Sequence, residues 1–135
     1  MIYEIIDQIA QEPSTIKKEE ILRSHAGNST LKQVCYLAES PRIKFYIKQI
    51  PETIDNGNLI LEEGLEALIP IYDRYYTGGD AIAWLLNTLE DSTPETQDLL
   101  RRIVLKDLRM NCGTKIMNKV WPGLIETTPY QGCKP

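Results

Sequence analysis

Apolar residues recur at three- and four-residue spacing through most of this chain, and the breaks between the stripes divide it into short helices. Ile2, Ile5, Ile6, Ile9 and Ala10 form a first amphipathic helix that Pro13 ends. Ser14 is suited to cap a second, anchored by Ile21 and Leu22 and closed by Ala26-Gly27-Asn28. His25 falls in its last turn, where a partly positive ring suits the helix dipole. Ser29 or Thr30 opens a third helix bearing Leu31, Val34, Leu37 and Ala38. Ser40-Pro41 reads as a cap followed by a first-turn proline, which predicts a fourth helix over RIKFYIKQI ending at Pro51.

The second half follows the same rule. A polar loop from Glu52 to Asn58 carries the turn signal Asn56-Gly57. Leu59, Leu61, Leu65, Leu68 and Ile69 begin a helical region that Pro70 should kink or split. Tyr72, Tyr75 and Tyr76 follow, a cluster that fits either a core with hydroxyls at the surface or a platform for bases. Thr77-Gly78-Gly79-Asp80 opens a helix with Ala81, Ile82, Leu85, Leu86 and Leu89, and Ser92 or Thr93 caps a long one from Pro94. That helix should run through Leu100, Ile103, Val104, Leu105 and Leu108 to a turn at Asn111-Cys-Gly113-Thr114. Ile116, Met117 and Val120 line a final helix, stopped by Trp121-Pro122-Gly123. The expectation is an all-α, compact single domain of about seven to nine helices over residues 1–125, with 126–135 a linker.

The turn before the last helix carries the chemistry. Asn111 tolerates left-handed backbone as Gly does and can end the preceding helix. Gly113 leaves the backbone open to a ligand, and the first amides of the helix from Thr114 lack internal partners, an arrangement that suits phosphate. Lys115 and Lys119, one turn apart, would flank the same anion. Lys106 and Arg109 before the turn and Asn118 after it lie on the polar side. A solvated basic face is the alternative. Lys32, Arg42, Lys44 and Lys48 suggest a second basic surface. A shift of 35 residues lays Arg74 and Gly78 over Arg109 and Gly113, a weak internal repeat that would present two such turns to one ligand.

Charge distribution sharpens this picture. The chain of 135 residues has a net charge of −4. Yet Leu99 to Trp121 holds six basic residues and one acid, a balance of +5, against −9 for the remainder. An acidic domain with one basic face orients a polyanion as it approaches. Cys35, Cys112 and Cys133 have no paired spacing and read as reduced thiols, and a single His leaves little to bind zinc. No stretch is apolar enough to span a membrane, and no leader is expected at Met1. No catalytic set, Walker loop or metal-binding carboxylate pair can be assembled.

KDLRMNCGTKIMNKVWPGLI resembles the segment that closes the N-terminal DNA-binding domain of ATP-dependent DNA ligases, especially of the T-even bacteriophage type. Asp107, Leu108 and Arg109 match, as do Asn118, Lys119, Val120, Trp121, Pro122 and Gly123, whereas Asn111 stands where the family usually has the first hairpin Gly. STLKQVCYLAESPRIKFYIKQIP is similar to an earlier helix-turn-helix segment. Arg74, Thr77, Gly78 and Ala81 follow an Arg-x-x-Thr-Gly-Asn-Ala-Ala element, with Gly79 and Asp80 departing from it. The resemblance implies helix-hairpin-helix-like turns that bind nicked double-stranded DNA without sequence preference, through phosphates and the minor groove. The residues expected at the duplex are Thr77, Gly78, Gly79, Lys106, Arg109, Asn111, Gly113, Thr114, Lys115, Asn118 and Lys119, with Lys32, Lys44 and Lys48 on the second surface.

It also implies a parent ligase that uses ATP and magnesium to seal nicks in replication, repair and recombination. The Lys-x-Asp-Gly motif that such a ligase needs is missing from this sequence. The chain is therefore read as an inactive, cofactor-free N-terminal fragment, monomeric and cytoplasmic in a bacterial host. The alternative is a helical protein-interaction module docking on a replication protein such as a sliding clamp. A helix-hairpin-helix glycosylase would need an Asp downstream of the hairpin, and none follows Asp107. If position 111 is left-handed, Asn111→Val should be less stable than Asn111→Gly by about 1–2 kcal/mol, read from urea melts.

Overall fold

The computed structural model describes residues 2–53, 57–110 and 112–125. Among them are eight helices: α1 (Ile2–Gln11), α2 (Thr15–Ser24), α3 (Ser29–Glu39), α4 (Leu61–Ala67), α5 (Ile69–Tyr72), α6 (Gly78–Glu90), α7 (Pro94–Val104) and α8 (Thr114–Val120). One isolated parallel bridge joins Leu59 to Ser92. The architecture is all-α, as the apolar stripes predict. Asn111 and the linker 126–135 lie outside the described residues.

Local chemistry sets most helix starts. The Ser14 hydroxyl accepts the Lys17 amide at 3.3 Å, and Thr93 Oγ1 accepts the Thr96 amide at 3.2 Å ahead of the first-turn Pro94. Asn28, not Ser29, caps α3 by accepting the Leu31 amide. Each such cap stabilises its helix by about 1 kcal/mol. Pro70 separates α4 from α5 as expected, sitting in the first turn of the new helix where its missing N–H costs nothing.

Helix α7 is the centre of the packing. It meets α3, α4 and α6, while α2 packs on α1 and α8. Leu99, Leu100, Ile103 and Val104 of α7 are buried, as are Ile2, Ile5, Ile6 and Ile9 of α1. Burying one such side chain is worth about 1.5–3 kcal/mol. Side-chain donors tie the layers: Trp84 Nε1 donates to the Ala67 carbonyl at 2.7 Å, and Trp121 Nε1 to the Ala26 carbonyl at 2.9 Å.

Two expected elements are corrected. Residues 43–50 form no helix; Ser40 ends α3, its amide donating to the Tyr36 carbonyl. Phe45 and Ile47 are both buried while Lys44, Tyr46 and Lys48 are exposed. Residues two apart point to opposite sides of a helix but to the same side of an extended chain, so burying both apolar side chains selects the extended form. The second correction is at α7, which stops at Val104 instead of running to Asn111. Lys106 takes left-handed geometry (φ 62°), and the amides of Lys106 and Asp107 close back on the carbonyls of Ile103 and Arg102. This is a Schellman end with lysine where glycine is usual.

The bridge depends on a residue without a side chain. A Cβ on Gly57 would collide with the backbone of Asp91, whose carbonyl accepts the Leu59 amide at 2.7 Å. Gly57→Ala must push the strand off α6's end and should destabilise the fold by about 1–3 kcal/mol in urea melts.

Candidate nucleic-acid interface

The segment from Leu105 to Gly113 is longer than a simple hairpin, and side chains from other elements hold its backbone. Lys18, buried on α2, donates to the Met110 carbonyl at 3.1 Å. Arg102 Nη1 donates to the Leu108 carbonyl at 3.3 Å. Lys106 reaches away from the turn, donating to the carbonyls of Leu37 and Ser40 at 2.8 Å each. Asp107 accepts the amide of Arg109, whose own backbone is left-handed (φ 58°).

These contacts divide the six cations between Leu99 and Trp121 into two groups. Arg101, Arg102 and Lys106 face inward; Arg101 donates to the Ile50 and Pro51 carbonyls. Arg109, Lys115 and Lys119 face outward. Arg109 lies 3.2 Å from Asp98, and Lys119 is 3.9 Å from Glu19, a carboxylate already paired with Arg23 at 2.7 Å. Gly113 caps α8 with no side chain over the first amides, beside half-buried Thr114. Asn118 binds inward, its amide donating to the Ile125 carbonyl and its oxygen accepting the Ile125 amide.

The remaining expected residues fall in separate places. Thr77 and Gly79 are exposed at the head of α6 around Gly78, which is left-handed (φ 55°), with Asp80 exposed in the same first turn. The proposed repeat holds in part: Arg74 and Arg109 are both left-handed, whereas Gly113, unlike Gly78, is extended. Lys32 borders an open groove of about 360 Å³ with Tyr36 and residues 120–124. Lys44 and Lys48 project from the extended segment, and Lys48 shares a groove of about 490 Å³ with Asp98, Arg101, Arg102, Asp107 and Arg109. The structure therefore brings Lys48 to Arg109 and leaves Lys32 beside the end of α8. Sequence reasoning passed over Lys18 and counted Arg102 only as one charge of the basic stretch. Lys18 had a signal, because it lies one turn before Leu22 on the buried stripe of α2.

The relatives point to one class of protein, the DNA ligases. The chain is similar to the DNA ligases of Enterobacteria phage T4 and Enterobacteria phage T6, 35% identical to each over 134 residues. That match takes in 96% of this chain but 28% of each relative, so the chain spans less than a third of their length. Two solved structures, Pmar-Lig_PreS3 and Pmar-Lig_Pre, share its fold with TM-scores of 0.83 and 0.80 at 27% identity. They match over 94% and 89% of this chain and 31% and 29% of their own. No family model matches. The similarity to a segment of the T-even phage DNA ligases agrees with the resemblance carried by Asp107-Leu108-Arg109 and by Asn118 to Gly123. Among the described residues no helix is long and apolar enough to cross a membrane.

Burial pulls the Lys106 amine down to about 8, against the opposing pull of Glu39. A lysine depressed in the fold binds fewer protons there than in the unfolded chain between pH 8 and its ordinary value near 10.5, so its contribution to stability rises across that window. The neutral amine still has hydrogens for both carbonyls. Lys106→Met removes these bonds and should cost about 1–3 kcal/mol. Its deficit against the unmodified chain should widen as pH rises from 8 towards 10.5, as paired urea melts would reveal.

Proposed function

We propose that this chain is the duplex-binding part of a phage-type DNA ligase, gripping nicked DNA through phosphates and the minor groove without reading sequence. The observation that carries this reading is the outward group Arg109, Lys115 and Lys119 around Gly113, in a chain related over nearly its whole length to proteins named DNA ligase. Cations and backbone amides directed at phosphates give affinity independent of sequence. Lys48, which lines a groove with Arg109, extends this contact surface, and Lys32, Lys44 and the Thr77–Gly79 turn would meet the duplex at separate places.

Lys106 and Asn118 serve the interface indirectly in this reading, since their polar atoms hold the turn and the end of α8. Sealing chemistry, with its ATP and magnesium, belongs to a ligase beyond this segment. The chain itself positions the nick.

Lys115→Ala and Lys119→Ala should each weaken binding to unrelated duplex sequences alike. Each lost phosphate contact should lower the slope of log affinity against log salt by about 0.9. Glu19 already offsets part of the Lys119 charge, so Lys119→Ala should have the smaller effect. Anisotropy titrations over a salt series test this, and wild-type slopes in both variants would place the DNA elsewhere.

A further inference from the structure

The extended segment at residues 43–50 touches one turn region and lines a groove with the other. At one end, the Arg74 guanidinium sits 4.1 Å from the centre of the Tyr46 ring. At the other, Lys48 shares its groove with Arg109. Tyr46 is 66% exposed, although the residues beside it are buried. Tyr46 and Arg74 both hold left-handed backbone, φ 60° and 68°, which bulky residues rarely adopt. What holds them there is internal: Phe45 packs edge-on against Tyr72 with ring centres 5.9 Å apart. That contact locks the two strands of chain together just inside the exposed pair.

We infer that Tyr46 and Arg74 form a phosphate-gripping platform that joins the α5–α6 turn to the α7–α8 turn in one track along a DNA strand; this rests on the duplex-binding reading above. The guanidinium carries the contact. Stacked on a ring it keeps its plane fixed and its edge donors free for phosphate oxygens. Tyr46 is the positioning residue. The charge around the pair fits a polyanion: from Arg42 to Ile50 there are three basic residues and no acid. The nearest carboxylate in sequence, Asp73, is engaged with the Tyr75 amide at 3.1 Å.

Three variants of the chain test it by anisotropy with nicked duplex over a salt series. Arg74→Gly suits the left-handed backbone, so its urea midpoint should hold or rise while the salt slope falls by about 0.9. Tyr46→Leu should raise Kd by about two- to fivefold, the equivalent of an exposed cation–π contact, and Tyr46→Phe should restore wild-type affinity. A wild-type slope in Arg74→Gly, or equal affinities for Tyr46→Leu and Tyr46→Phe, would overturn the platform alone. No salt-dependent binding by the unmodified chain would overturn the duplex-binding reading and the platform with it.

Discussion

Lysine and arginine side chains grip backbone carbonyls at the turn between α7 and α8, and the rest of the candidate interface depends on that grip. A nine-residue connection has many conformations available, and its entropy favours all of them over any one. Lys18 and Arg102 each fix one carbonyl of it, at Met110 and Leu108. Lys106 ties its first residues to the end of α3. Charged donors bind carbonyls more strongly than neutral ones, so a few contacts suffice. The outward cations Arg109 and Lys115 are placed by inward ones.

This division changes what the charge balance means. A count of +5 over Leu99 to Trp121 suggests a uniformly basic face. Half of those cations are structural, and Asp98 draws Arg102 and Arg109 together from one side. The field that reaches solvent comes from fewer groups than the count implies. It is supplemented from the 43–50 segment, where Lys44 and Lys48 alternate with buried Phe45 and Ile47.

The parts of the fold that were legible in the sequence are those governed by neighbours within a turn. The isoleucine stripe of α1, the Ser14 and Thr93 caps and the split at Pro70 are local, and each was readable. Residues 43–50 were misread, because Ser40-Pro41 imitates a helix start, although Ile43, Phe45 and Ile47 at alternate positions among β-branched and aromatic residues already favoured an extended chain. The early end of α7 was hidden. Lys at a left-handed position is unfavourable by itself, and what compensates is a pair of carbonyls more than sixty residues earlier. At the candidate interface, the residue types and the Gly113 turn were visible. Which cations face outward was not, since that is set by contacts between distant elements.

Asn118 grips both the amide and the carbonyl of Ile125 through a single carboxamide. One point of attachment leaves a chain free to swivel, whereas two define a direction. With Trp121 anchored to Ala26 behind it, the backbone leaves α8 on a set bearing relative to the α2 end of the domain. The direction in which the chain reaches Ile125 is therefore chosen by the helix that carries Lys115 and Lys119, as a handle takes its line from the blade it is fixed to.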